Sequence, residues 1–272
     1  MLFRSLDLAF QSLEMGLLAA SLWLLIHHLG LVSLGHAAFY GLAGYAFAWF
    51  APLTGSIWLS ALLGILSAAA YAAVTGWCVL RSRGLSFLMA TLAFAQMLLV
   101  IAQDTPYFGG SDGLYVQGLS TLSAPDKLLA MVAVAAASAW LIWRVGRSPF
   151  GLLMSAAHQH EARLLSLGYS VVQIQLLAYV LSASLAGAAG AMHALRFGFV
   201  SPGLFSWQVS GMALLMVLLG GRRALYSAWL GAIAVTLLHE LLSSHALWGD
   251  WARHWAAGLG LIMILIARRQ PT

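Results

Sequence analysis

No Asp, Glu, Lys or Arg occurs between Met15 and Leu80. A soluble domain keeps charge on its surface, so a run this long without any cannot belong to an aqueous globule. It is also too long for one membrane crossing, because about 20 residues already span the hydrocarbon core. The stretch must hold several apolar helices joined by uncharged turns. Composition agrees, since 8% of the whole chain is charged, against about 25% in soluble domains. A β-barrel would show short alternating segments instead of long unbroken apolar runs. The chain reads as an all-α polytopic membrane protein of about eight or nine transmembrane helices.

The spans follow from where the apolar runs stop. The first covers roughly residues 8–28 and runs into His27-His28-Leu29-Gly30. The second ends near Phe50, before the turn signals Pro52, Thr54 and Gly55. Between them, Ser33-Leu34-Gly35-His36 places a glycine and an ionisable ring in an uncharged region, which predicts a broken helix near the N-terminus. Residues 57–80, 85–103, 128–143 and 171–195 read as further spans. Ser201-Pro202-Gly203 then interrupts residues 197–221, leaving a loop or half-helix before a span from about Gln208. Residues 224–242 and 255–267 are the last two, closed by Arg268-Arg269. No internal repeat stands out, because Gly/Ala spacing that recurs between 33–44 and 182–190 is common to lipid-packed helices.

Charge sets the orientation. If the spans alternate, Arg81, Arg83, Arg144, Arg147, Arg163, Arg222, Arg223, Arg268 and Arg269 share one side, and Asp104, Asp112 and Asp126 share the other. The positive-inside rule puts residues 144–169 in the cytoplasm and the acidic loop 104–126 outside. The same count places the N-terminus outside only if the region 28–35 is a true crossing. Ala183, Gly187 and Ala191, and likewise Ala37 and Gly41, are spaced for close helix approach. Trp23, Trp49, Trp58, Trp77, Trp140 and Trp143 lie towards run ends, as an aromatic belt would. Asp7 and Glu14 interrupt the first span, so it does not read as a cleavable signal.

Residues 144–169 (RVGRSPFGLLMSAAHQHEARLLSLGY) are the polar, mixed-charge exception. Ser148 suits an N-cap, Pro149 the first helical position and Gly168 a left-handed C-terminal stop. Phe150, Leu153, Met154, Ala157, Leu164 and Leu165 fall on one stripe, interrupted by His160 and Glu161. Ser155, Gln159, Arg163 and Ser166 fall on another face. The spacing predicts a short amphipathic cytoplasmic helix over 148–168, which can lie on the bilayer or dock into another protein; we read it as docking.

Little of the chain suggests chemistry of its own. The break at Ser33-Leu34-Gly35-His36 reads either as the lining of a solute path or as a packing turn with His36 satisfied by a neighbour. Gly109-Gly110-Ser111-Asp112-Gly113 reads either as a nest of backbone N–H groups or as a plain glycine turn. Lys127 is the only lysine, and no GxxxxGK[ST] loop exists, so the chain has no ATP-binding P-loop. The nine histidines miss metal-ligand spacing: His158 and His160 are too close along a helix to share a face, and His239-Glu240 lacks HExxH. Neither metal nor cofactor is expected, nor is nucleic acid, since the basic residues sit at span ends. No Ser, His and Asp form a nucleophile arrangement. Glu14 and Glu240 read as interface anchors or as members of a proton relay. The single Cys78 permits no intramolecular disulfide.

Several motifs, in order, resemble the permease subunits of branched-chain amino acid ABC importers, the LivM-like half. They are residues 32–45 (VSLGHAAFYGLAGY), 83–97 (RGLSFLMATLAFAQM) and 109–114 (GGSDGL), and the loop that begins SPFG at Ser148 and contains Glu161-Ala162-Arg163 and Leu167-Gly168. Residues 182–190, Val200-Ser201-Pro202 and Gly220-Gly221 complete the set, which covers about residues 15–267. The resemblance implies a single permease domain over 1–272 in a bacterial inner membrane, with no catalysis of its own. A paralogous permease subunit, two cytoplasmic ATP-binding subunits and a periplasmic solute-binding protein would be its partners. It implies a coupling helix, with Ser148, Pro149, Phe150, Gly151, Glu161, Ala162 and Gly168 facing the ATPases. It also implies a translocation path bordered by Ser33, Leu34, Gly35, His36 and Phe39, and an external loop at Gly109, Gly110, Ser111, Asp112 and Gly113. The same machine could carry urea or short amides. From another class, a stand-alone proton-coupled carrier or channel would use Glu14, Glu240 and His36.

Overall fold

In a computed structural model the described residues are 2–117, 123–221, 224–243 and 260. The Arg222-Arg223 turn, the span expected at 255–267, Arg268-Arg269 and residues 118–122 of the outer loop lie outside them. The helices are α1 (Leu2–Leu29), α2 (His36–Thr54), α3 (Ile57–Val79), α4 (Leu85–Asp104), α5 (Ala124–Gly146), α6 (Pro149–Gln159), α7 (Glu161–Ser166), α8 (Val171–Phe197), α9 (Trp207–Gly220) and α10 (Leu225–Leu242). Two short strands, β1 (Leu114–Tyr115) and β2 (Phe199–Val200), pair antiparallel. Six helices among the described residues, α1, α3, α4, α5, α8 and α10, are long and apolar enough to cross a membrane. The protein is an all-α, multi-pass membrane protein.

Helix order and direction reveal an inverted repeat. α1 and α8 run antiparallel: Asp7 meets Arg196 near one end, and Ser182 Oγ donates to the Ser21 carbonyl nearer the other. α2 follows α1 after the break at 30–35, and α9 follows α8 after a second break at 198–206. α8 packs on α1, α2 and α3, and α1 packs on α8, α9 and α10. The triple α1–α2–α3 is thus repeated by α8–α9–α10 in the opposite sense, an arrangement common in transporters. Each break contains a Val-Ser-X-Gly run, Val32-Ser33-Leu34-Gly35 and Val200-Ser201-Pro202-Gly203. The sequence reading missed this repeat because so few shared positions do not rise above the Gly/Ala background.

Small residues let the triples close. A Cβ at Gly190 would collide with the Tyr40 carbonyl, and one at Gly64 would sit 2.7 Å from the Ala43 carbonyl. Ala183, Gly187 and Ala191, and Ala37 and Gly41, are all buried as their spacing predicts. In lipid such contacts are gained mainly as dispersion, since a lipid tail is as apolar as the partner helix. The outward faces carry the large side chains: Trp49, Trp58, Trp77, Trp140 and Trp143 are exposed. Trp23 is not part of that belt. It is buried and stacked on His27, one turn further along α1, with ring centroids 4.4 Å apart.

Candidate functional site

The polar loop between α5 and α8 forms an elbow. Ser148 Oγ accepts from the Gly151 amide and Pro149 fills the first helical position, so α6 starts as the sequence predicts. Gly151 is required here, because a Cβ would sit 2.5 Å from the Val145 and Gly146 carbonyls. The single helix expected over 148–168 is instead two helices meeting at His160, whose φ of −141° and ψ of 56° end α6 and open α7. The bend lets Leu164 bury under the bundle with Met154 and Ala157. Leu165, expected on the same stripe, is exposed instead, because the bend rotates its face away.

Gly168 takes the left-handed φ of 83° expected of a helix stop. Arg83 donates to Glu161 at 2.6 Å, so the α3–α4 turn and α7 lie on one face of the membrane, as the charge pattern requires. Leu152, Leu165, Leu167 and Tyr169 are exposed on this elbow, with Ala162 and Gly168 beside them. That apolar cluster lies at the polar end of the spans rather than along them, and such patches mark interaction surfaces.

The break between α1 and α2 is held by backbone-capping side chains. Ser33 Oγ accepts from the Gly35 amide at 3.1 Å, and Thr91 Oγ1 of α4 accepts from Leu34 at 3.2 Å. Ser210 Oγ of α9 accepts from the Ala37 amide at 2.8 Å. His36 Nε2 is hydrogen bonded to Ser182 Oγ at 3.0 Å. Ser33, Gly35, His36 and Phe39 are buried, and Leu34 is half-buried. Phe39 packs edge-on against Tyr71 and Tyr179. His36 therefore does meet a neighbour, although its Nδ1 has no hydrogen-bond partner among the described residues.

Two cavities among the described residues lie away from the break. One, of about 870 Å³, is apolar and lies between α2, α3, α5 and α8; the other, of about 160 Å³, lies between α1, α9 and α10. The five path candidates are brought together at the break, away from both of these cavities.

The outer loop is pinned to the second break. Gly109, Gly110 and Gly113 all adopt positive φ, and Gly113 packs against the Val200 carbonyl so closely that a Cβ would collide with it. Strand pairing sets Leu114 opposite Val200, and the Val116 amide donates to Gly198 at 2.8 Å. The amides of Gly109, Gly110 and Asp112 donate within the loop, the arrangement of a glycine turn. Ser111 and Asp112 are exposed at its tip.

Sequence reasoning missed one buried network. Glu14 is fully buried; it accepts from Tyr40 Oη, lies 2.7 Å from His193 Nδ1 and 3.4 Å from Arg196 Nη1. Arg196 also pairs with Asp7 at 2.6 Å. A carboxylate in that setting is tolerable only with such partners. His193 and Arg196, three apart on α8 inside an apolar run, are the signal that could have found it. Glu14 is a tie between α1, α2 and α8 and not an interface anchor.

With the geometry in view, comparison with known proteins decides the family. Residues 5–267 match the family described as branched-chain amino acid transport system / permease component. The chain belongs to that family. The high-affinity branched-chain amino acid transport system permease protein LivM of Salmonella typhimurium is 28% identical over 298 residues, covering 98% of this chain and 69% of its own. LivM of Escherichia coli is 29% identical over 273 residues, covering 89% of this chain and 63% of its own. The autoinducer 2 import system permease protein LsrC of Klebsiella pneumoniae is 32% identical over 129 residues, 46% of this chain and 37% of its own. A permease component of this family works with the other subunits of its transport system.

Proposed function

We propose that this permease is one membrane half of an ABC importer that moves branched-chain amino acids inward across a bacterial inner membrane, with residues 1–272 as one transmembrane domain. A paralogous permease completes the path, two cytoplasmic ATPases dock on the elbow, and a periplasmic binding protein delivers solute to the outer face. Ser148, Pro149, Phe150 and Gly151 shape the elbow, and Glu161, Ala162 and Gly168 present its surface to the ATPases. Ser33, Leu34, Gly35, His36 and Phe39 border the path where the second permease packs. The GGSDG turn, Gly109 to Gly113, fastens the outer loop to the second break. The chain itself performs no ATP hydrolysis.

The observation that carries this reading is the exposed apolar cluster of Leu152, Leu165 and Leu167 on the arginine-rich face of a family member. It supports docking to a soluble-side partner, because these side chains lie among the arginines that flank the spans and not along an apolar span. The mechanism is a shift between inward- and outward-open states, biased by ATP on the partners. Purification from gently solubilised membranes, with mass spectrometry of what stays bound, tests it. A second multi-span protein together with P-loop ATPases supports the reading, whereas recovery of the chain alone overturns it.

A further inference from the structure

Three structural elements meet at His28, at the cytoplasmic end of α1. His28 is 7% exposed, and its Nδ1 is hydrogen bonded to Ser155 Oγ of α6 at 3.2 Å. On its other side the ring faces the end of α5, where a Cβ placed on Gly146 would lie 3.5 Å from His28 Nε2. His27 packs edge-on against His28 at 4.9 Å and stacks on Trp23, which fixes the ring pair from below. Two residues on, Gly30 takes a φ of 66° and leads into the break. The His158 ring of α6 fills the place where a side chain at position 30 would stand. The elbow therefore grips the chain twice, through Ser155 on His28 and through His158 on Gly30.

Beyond Gly30 the chain has no regular structure until Gly35, and its next anchors are Thr91 on α4 and Ser210 on α9. A segment held at one end by α6 and at the other by α4 and α9 must follow when α6 moves against those helices. Packed elements transmit displacement because interiors resist compression.

We propose that His28, Ser155 and His158 form the joint through which movement of α6 reaches the helix break at 30–35. They are positioning residues: they touch neither nucleotide nor solute, and they set where Ser33 to His36 lie in each state. The inference rests on the importer reading and adds the residues through which the elbow acts.

The test uses inverted membrane vesicles carrying the whole transporter with its partner subunits, in a Cys78→Ser background with Leu34→Cys as reporter. The rate of Leu34→Cys modification by a maleimide is measured with and without ATP. The parent should show an ATP-dependent change in rate. Ser155→Ala should reduce that change, per ATP hydrolysed, by about tenfold. Ser155→Thr, which keeps the hydroxyl, should restore it, and His158→Ala should act like Ser155→Ala. A purely structural role for Ser155 would instead lower the melting temperature, and Ser155→Thr would not separate the two. If the parent shows the change and Ser155→Ala and His158→Ala keep it in full, the joint is overturned. If the parent shows no ATP-dependent change at all, the importer reading itself fails.

Discussion

The amide of Ala37 donates to Ser210 Oγ at 2.8 Å, so the starts of α2 and α9, the two helices that follow breaks, are tied to each other. The inverted halves of the protein meet at this bond. Both residues are buried, and no water replaces a lost partner there. Ser210→Ala should destabilise the purified protein by about 1–3 kcal/mol, read as a lower melting temperature in detergent. Ser210→Thr keeps the acceptor and should lose less. An unchanged melting temperature in the alanine variant would show that the tie carries no weight.

Close backbone approach makes a second expectation. Gly190 lies against the Tyr40 carbonyl, while Gly211 on α9 has nothing within 4 Å of its would-be Cβ. Gly190→Ala should sharply reduce folded protein in the membrane fraction. Gly211→Ala should be neutral or slightly stabilising, because alanine is the better helix former by about 1 kcal/mol. Size-exclusion profiles of the two variants compare them directly.

The buried charges should be coupled. Glu14→Ala leaves His193 and Arg196 without their shared carboxylate, and the Arg196 side chain is 9% exposed. Arg196 keeps Asp7, so the loss falls on the Tyr40 hydroxyl and His193 and should be about 1–3 kcal/mol. Pairing it with Tyr40→Phe should recover part of that loss, since removing both partners costs less than leaving a buried donor without its acceptor. A double-mutant cycle on thermal melts gives the coupling, and strict additivity would argue against the network.

The elbow should separate stability from transport. Arg83 and Glu161 are 77% and 33% exposed, so their pair contributes only about 0.2–1 kcal/mol. Glu161→Ala should therefore leave the melting temperature nearly unchanged. Uptake of radiolabelled leucine by whole cells should nonetheless fall, and Gly168→Ala should behave similarly, since its strained φ would shift the elbow. Normal uptake in both variants would remove these residues from the coupling surface.

Much of this fold is legible in the sequence, and the reasons differ by element. The spans are announced by uncharged runs, because the bilayer imposes that rule from outside, and the arginines at run ends foretell that the α3–α4 turn and α7 share one side. The caps Ser148 and Gly168 are local chemistry and stand where the sequence places them. What escapes is what depends on distant partners. The bend at His160 exists because Leu164 reaches the bundle, and nothing within 148–168 encodes that. Trp23 looks like a belt residue until the stack on His27 is seen. Glu14 finds its partners 26 and 179 residues away in Tyr40 and His193, beyond any local pattern. The second break is visible as Ser201-Pro202-Gly203, but its kinship to the first shows only when both helix directions are known.

Site-specific photo-crosslinking at the elbow tests the central claim most directly. A photoreactive residue replaces Leu165 in living cells, with the same residue at Trp77 on the membrane-facing side of α3 as comparison. Adducts identified by mass spectrometry should contain a P-loop ATPase at position 165 and none at position 77. Adducts at 165 that hold only lipid, or no protein partner at all, would contradict an elbow built to receive a cytoplasmic motor.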